Sequence, residues 1–540
     1  MRHSRYAASR SWIVWLGFSV LAAAICWLGS TDRVRSLIIN TAWLSLATCS
    51  LTVPTGVFVG WLLERSDICF RSAAGWLLLA MIFIPLYLFA AGWEAGFGLQ
   101  GWLPTAFPNW FATPWLGGWT GAIWVHSVAM FPWVALIAQA MLRSMPNESE
   151  LAARLDASRW TMFWRLSWPQ LLPTSIACGM WVTVVTASEI TVTDLFQIRT
   201  FAEEVYIGFA MDTGFDGRTV LPAASNTATT IMLSMTLCMF AIGLLAFLQP
   251  VAGDPSADTK VIIRMGLWAF PVGLVLLMTL VFLAAVPIGS LAYKAGVMVQ
   301  LTGDTRVRSW SLVTCLQMVV ESPWRYRREY GWSLLIGSVA ASTTVLVGWC
   351  AAVAASLGGW NYRITMLCMA LLLSIPGPVL GILMIHGLNQ PTVPAMVFLY
   401  DQSIFAPTVA IVFKALPIVT WMLWHGICAL PKHLREAARL DGATTWQCWR
   451  FVVVPPLWPV ITSAWLVALA WSLAELSVSI LVVPPGVTTL AIRIFNLIHY
   501  GVEDRLAGLC LFTIVILLLL VWAMERIQRR FAIAKPSRHA

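Results

Sequence analysis

Two glutamates offer the first hint of chemistry. Glu189 and Glu475 stand at the ends of charge-free runs, each sixteen residues beyond a proline, Pro173 and Pro459. The spacing puts each inside a membrane span, where an ionised side chain costs about 2.5–3.5 kcal/mol unless paired or hydrated. Such a pair either lines a cation-favouring path or is held by hydrogen bonds to a neighbouring helix. Lys414, three residues before Pro417, is placed to snorkel or to pair with a carboxylate. His126, His386 and His425 lack ligand spacing and read as interior histidines. The eleven cysteines contain no Cys-x-x-Cys pair, which argues against a zinc site or a disulfide framework. No metal or catalytic residues are assigned. Without a Gly-x-x-x-x-Gly-Lys-Ser/Thr phosphate loop, the chain is not expected to hydrolyse ATP itself.

The elements that must position these residues follow from composition. The chain has 540 residues, 59% hydrophobic and 11% charged, with a mean hydropathy of +0.78. An ordinary soluble domain is about 25% charged, so that class is excluded. Runs free of Asp, Glu, Lys and Arg recur at 11–31, 36–63, 72–93, 95–142, 166–188 and 219–253. They recur again at 265–293, 330–362, 364–400, 415–431, 451–474 and 506–524. A helix crosses the hydrocarbon core with about 20 apolar residues, and backbone polar groups in lipid must be satisfied within the segment. The expectation is an all-α integral membrane protein with about twelve transmembrane helices. Their centres fall near residues 20, 50, 83, 130, 184, 237, 277, 343, 375, 415, 471 and 515. The run Trp12–Leu28 follows three arginines but is longer than a usual signal core, and Ile25 is too large for a cleavage site. It reads as the first span.

The net charge of +9 reflects orientation rather than nucleic acid. With both termini cytoplasmic and twelve spans, 21 Lys/Arg fall inside and 12 outside, six of the latter in one segment from Lys294 to Arg328. That asymmetry fits the positive-inside rule. The aromatic-basic cluster Trp324–Tyr330 reads as a membrane-interface belt, and the Trp residues 110, 115, 119 and 124 as another.

Internal repetition sets the architecture. Pro146 and Pro431 each precede an aspartate, Asp156 and Asp441, by ten residues, with Ala-Ala-Arg-Leu before it in both copies. Pro132 and Pro417 lie 24 residues upstream of those aspartates. Six spans per half is an even number, so the two repeats run parallel about an axis along the membrane normal. The expected division is a first repeat at 1–250, a cytoplasmic linker at 251–262 rich in Pro, Gly, Ser and Asp, and a second repeat at 263–540.

Between the fourth and fifth spans of each half lies a polar loop, 146–173 and 431–459. In the second, Pro431 suits a first helical turn, the segment to Leu440 favours helix, and Gly442 can take the positive φ that ends it. The turn leads into Trp446–Val454, whose apolar stripe can lie on the membrane face. A solvent-facing helix of this kind offers a knob to another protein, and two copies at matched proline distances favour docking over a solvated charge run.

The loop resembles the EAA loop of ABC importer permeases, and the whole chain looks like a fused permease of the ferric-iron and thiamine type. The resemblance implies a type I importer permease fold in a bacterial inner membrane. It implies docking of an ATPase on Glu436, Ala437, Ala438, Asp441 and Gly442, and on Ala152, Ala153 and Asp156. The first copy departs from the pattern, with Leu151 where the second has Glu436 and Ala157 in place of glycine. Two copies of a cytoplasmic ABC ATPase and a periplasmic substrate-binding protein are the implied partners, beside membrane lipid and without nucleic acid. No cofactor binds this chain; ATP is used by the partner. Ferric iron is the expected substrate, with Glu189 and Glu475 on its path, and thiamine the alternative. The rival of a different class is an ion-coupled secondary transporter, which leaves both polar loops unexplained.

Overall fold

Charge-free runs in lipid have to satisfy their backbone internally, and here they do so as helices. The computed structural model describes residues 32–99, 101–107, 109, 115–144, 161, 168–212, 264–302, 305–390, 392–500 and 503–532. Among these, 8 helices are long and apolar enough to cross a membrane, and two further pairs pass the same test as bent spans. The long helices fall on the expected spans near 50, 130, 184, 277, 343, 415, 471 and 515. Those near 20 and 237 lie outside the described residues. The chain is an all-α, multi-pass integral membrane protein, with one two-stranded hairpin among the described residues.

The remaining two expected spans, near 83 and 375, are broken rather than continuous. Helix α2 (Arg71–Ile82) gives way to α3 (Leu86–Phe97) through a bend of 100°, and in the second half an equivalent break is bent by 101°. Both breaks fall on an Ile-Pro pair, Ile84–Pro85 and Ile375–Pro376. Proline removes a backbone donor and pushes the preceding residue out of the helical region. Ile375 accordingly sits at ψ 118, in extended conformation.

By packing, the chain forms two units. The first comprises Met1–Ser322 with Leu497–Leu511. Its described elements begin with α1 (Asp32–Arg65), α2, α3, α4 (Trp102–Ala106) and α5 (Gly118–Ser144). They continue with α6 (Trp168–Ser188), α7 (Thr191–Leu195), α8 (Phe201–Asp212) and α9 (Ala269–Gly296). The hairpin of β1 (Val297–Thr302) and β2 (Thr305–Trp310) pairs antiparallel, with Val297 opposite Trp310. Helix α10 (Leu312–Arg325) follows and runs across the unit boundary. Gly56 and Gly60, a small-x-x-x-small pair, let α1 approach α5 closely. A Cβ on Gly60 would lie 2.5 Å from the Ala135 carbonyl, so the contact is built on missing side chains. Helix α9 packs against α2 and α3. Helix α9, which opens the second repeat expected from the sequence, belongs to the first packing unit.

The second unit comprises Pro323–Asn496 with Phe512–Ala540. It holds α11 (Arg327–Ser356), α12 (Gly359–Ser374), α13 (Gly377–Leu388), α14 (Pro394–Asp401), α15 (Phe405–Ala429) and α16 (Lys432–Leu440). A short α17 (Thr445–Gln447) and a π-helical turn (Cys448–Val453) lead into α18 (Val454–Ala474). Then come α19 (Ser479–Val482), α20 (Leu490–Tyr500) and α21 (Glu503–Ala532), the last two shared with the first unit. Its core sits where α11, α15 and α18 meet, with Ala341, Ala352, Ala415, Val419, Leu457, Ala464 and Ala468 all buried. Small side chains at such contacts bring helices close where lipid offers no hydrophobic drive.

Candidate functional site

The loop between α15 and α18 is built as a rigid knob. Helix α16 ends on Gly442 at φ +80. The N–H of Gly442 donates to the Arg439 carbonyl at 3.1 Å, and that of Ala443 to the Ala438 carbonyl at 3.0 Å. This pair of bonds is a Schellman end, which needs a left-handed residue that glycine adopts without strain. Two residues on, Thr444 and Gln447 form a capping box. Thr444 Oγ1 accepts from the Gln447 N–H at 3.3 Å, while Gln447 Oε1 accepts from the Thr444 N–H at 2.8 Å. The turn is therefore fixed at both ends. Its T-x-x-Q spacing is a sequence signal for such a cap, one that the reading of the glycine turn alone passes over.

The stretch Trp446–Val454 runs on into α18 as one helical segment from Thr445 to Ala474. The π-helical turn just before Val454 lengthens the ladder where Pro455 and Pro456 have no N–H to give. Cys448 and Val453 are buried there, and Trp449 packs edge-on against Trp349 at 5.9 Å. The outward side keeps apolar groups in view. Leu440 is 89% exposed, and Trp446 is also exposed. Glu436, Ala437, Asp441 and Gly442 are exposed and Ala438 half-buried. Ala152, Ala153 and Asp156, with Leu151 and Ala157, lie outside the described residues.

Glu189 and Glu475 occupy matching places, and neither is inside its helix. Each is the residue directly after a fifth-span helix ends, Glu189 after α6 and Glu475 after α18. Each folds back to cap the short helix that follows. The N–H groups of Thr191 and Val192 donate to Glu189 Oε1 and Oε2, both at 2.8 Å. The N–H of Val478 donates to Glu475 Oε1 at 3.1 Å. Carboxylates capping orphan amides relieve the donors a helix start leaves unpaired.

Each glutamate also has a basic neighbour from a fourth-span helix of its own unit. His126 on α5 is buried, its Nδ1 lies 2.8 Å from the Ala122 carbonyl, and its Nε2 is 3.9 Å from Glu189 Oε2. Lys414 on α15 donates to the Ile375 carbonyl at 2.8 Å and interacts electrostatically with Glu475. His126 precedes Pro132 by six residues and Lys414 precedes Pro417 by three, so the two bases sit about one turn apart in the repeat. His386 and His425 are not interior. His386 is exposed, and His425 is exposed between the rings of Trp421 and Trp424.

A further charged cluster escaped the sequence reading. Glu64, at the end of α1, has a side chain only 2% exposed and holds two arginines. Arg71 Nη2 donates to its Oε2 at 2.9 Å and Arg143 Nε at 2.8 Å. Arg65 Nη2 donates to the Leu142 carbonyl at 3.1 Å. These bonds tie α1 and α2 to the end of α5, directly before the first polar loop. The only sequence signal was a glutamate-arginine pair closing a charge-free run.

Comparison with known proteins fits this geometry. Residues 344–533 match the family described as binding-protein-dependent transport system inner membrane component. That stretch contains the second loop, Lys414 and Glu475. The chain is similar to a putative 2-aminoethylphosphonate transport system permease protein of Salmonella paratyphi A, 34% identical over 105 residues, 19% of this chain and 40% of that protein. It is similar to the molybdenum transport system permease protein of Escherichia coli K12, 28% identical over 135 residues, 24% of this chain and 59% of that protein. It is also similar to the trehalose/maltose transport system permease protein of Thermococcus litoralis, 28% identical over 136 residues, 24% of this chain and 43% of that protein. The chain spans about two-fifths of the phosphonate-system relatives it matches.

Proposed function

We propose that this chain is the permease subunit of a binding-protein-dependent ABC importer. It gives a small solute alternating access across a bacterial inner membrane, with no covalent chemistry of its own. The observation that carries the reading is the exposed knob Lys432–Gln447, fixed by its Schellman end and capping box between two membrane helices. Such a knob has no use within the bilayer and suits a groove on a cytoplasmic ATPase, two copies of which would serve the two loops. Both termini then face the cytoplasm, and a periplasmic binding protein delivers the solute from the other side. Co-purification tests it. The detergent-solubilised chain is expected to retain an ATPase, and Glu436→Lys to release it at unchanged membrane level. A chain that purifies alone and moves solute on an ion gradient would instead be a secondary transporter.

For the substrate, ferric iron follows from the subfamily resemblance and from two carboxylates as hard-cation ligands. A second reading rests on a specific observation. Both oxygens of Glu189 already accept backbone amides, while Lys414 brings an ammonium to the break where α13 begins. A cation beside a helix start suits an oxyanion, such as the phosphonate group of the 2-aminoethylphosphonate named for one relative. Competition assays on proteoliposomes with the cognate binding protein separate the two: ferric citrate displaces the solute in one case, molybdate or 2-aminoethylphosphonate in the other.

A further inference from the structure

Helix α10, between the hairpin and α11, is used by neither the docking loop nor the intramembrane polar residues. Its surface divides into three. Cys315 and Ser322 are buried, and a Cβ on Gly508 would come within 2.7 Å of the Met318 carbonyl, so one face rests on protein. At 3.6 residues per turn, Leu312, Leu316, Val320, Val313 and Trp324 share an arc of about 120°. All five are exposed, Val320 at 69% and Trp324 at 76%. Gln317, Glu321 and Arg325 are exposed on the remaining arc. A helix bathed in water turns polar groups outward over its whole free surface. This one turns out an apolar arc and a polar arc side by side, as helices lying in a membrane interface do.

We propose that α10 lies in the plane of the membrane surface, its apolar arc sunk among phospholipid acyl chains. Lipid is favoured over a protein partner because the chain enters and leaves α10 at the bilayer boundary. Helix α9 before it and α11 after it are both span-length apolar helices. Both carry exposed apolar side chains, Val275, Met278 and Phe282 on one and Leu334, Leu335 and Val339 on the other. The C-terminal end of α10 also carries an interface signature. Arg327 stacks over the Trp324 ring at 5.5 Å, and aromatic-basic pairs of this kind gather at headgroup level. A cavity of about 660 Å³ lined by Phe97, Trp102, Phe282, Tyr293 and Trp310 reaches to two residues before α10. Its apolar walls suit a length of acyl chain. The inference depends on α9 and α11 crossing the membrane and not on the importer reading, since no transport measurement enters the test.

Site-specific photo-crosslinking decides it on the full chain in proteoliposomes of phosphatidylethanolamine and phosphatidylglycerol. Leu316→p-benzoylphenylalanine and Val320→p-benzoylphenylalanine place the probe on the apolar arc, and Glu321→p-benzoylphenylalanine on the polar one. Each replaces an exposed side chain, so packing is preserved. The expected result is phospholipid adducts by mass spectrometry at 316 and 320, several-fold above 321. Equal yields at all three positions, or no lipid adduct at 316 and 320, overturn the proposal. So does a protein adduct at those positions when the same variants are irradiated in whole membranes.

Discussion

Lys414 Nζ donates to the Ile375 carbonyl at 2.8 Å, which sets an ammonium at the point where α12 breaks into α13. Pro376 begins the new direction, and the lysine supplies a donor to the carbonyl directly before it. The same ammonium interacts with Glu475, at the other helix end of this unit. One side chain therefore links two interruptions of helix, a broken third span and a capped fifth.

Lys414→Met should expose this link. It leaves a carbonyl without its donor at a cost of about 1–3 kcal/mol and takes from Glu475 the ammonium it interacts with. Thermal melting in detergent is expected to fall. Lys414→Met combined with Glu475→Gln removes both charges and should recover part of the loss, since paired groups couple non-additively. Strict additivity of the two single variants would show that the residues act independently.

The exposed knob makes a separate prediction. Gly442→Ala forces a side chain into φ +80, costing about 1 kcal/mol. Thr444→Ala removes half of the capping box at about 1 kcal/mol. Neither touches the membrane core, so melting should barely change while solute uptake per ATP hydrolysed falls. Glu436→Lys should uncouple more severely because it reverses charge on the exposed face. Changes at Leu151 and Ala157 should matter less, as that copy already departs from the pattern. Wild-type uptake in Gly442→Pro would remove the knob from the coupling path.

How far the sequence reached is clear from these residues. Charge-free runs located the spans that fall among the described residues, because hydrocarbon leaves the backbone no alternative to an internally bonded ladder. Gly442 announced its left-handed turn, since the physics is local. The third-span breaks were equally local, an Ile-Pro pair in each half, yet a proline inside a long apolar run is also tolerated as a kink. Only the fold shows that Pro85 and Pro376 redirect the chain by a right angle. Glu189 and Glu475 were placed within helices because hydropathy counts residues and does not see where a ladder stops. Glu64 stayed hidden because Arg143 is brought to it by the α1–α5 contact, a long-range event, while Arg71 reaches it across the turn from α1 into α2.

Glu64 should prove structural. Its carboxylate is buried and holds two guanidinium groups. Removing one partner of a buried ion pair costs about 3–5 kcal/mol. Because Arg143 is more than half exposed, solvent takes up part of that loss, and Glu64→Ala is expected at the low end. Glu64→Gln keeps shape and should fall between. Intrinsic tryptophan melting curves in detergent give the order. A Glu64→Ala chain as stable as the wild type would mean the cluster holds nothing together.

The glutamate pair supplies the sharpest contrast, because equivalent residues are bonded unequally. Glu189 accepts one amide on each oxygen. Glutamine has a single acceptor oxygen, so Glu189→Gln must present an NH₂ group to a backbone N–H and lose a charge-assisted bond. A loss of about 1.5–3 kcal/mol follows, read as lower thermal stability. Glu475 accepts one amide, which the lone carbonyl oxygen of a glutamine side chain can still take, so Glu475→Gln keeps its cap and loses only the interaction of its charge with Lys414. Any fall in uptake by Glu475→Gln at unchanged protein level then reports on charge alone. Stable Glu475→Gln protein with wild-type uptake would exclude that carboxylate from the solute path. Unchanged melting in Glu189→Gln would show that the two caps are not what hold the fifth span to the helix after it.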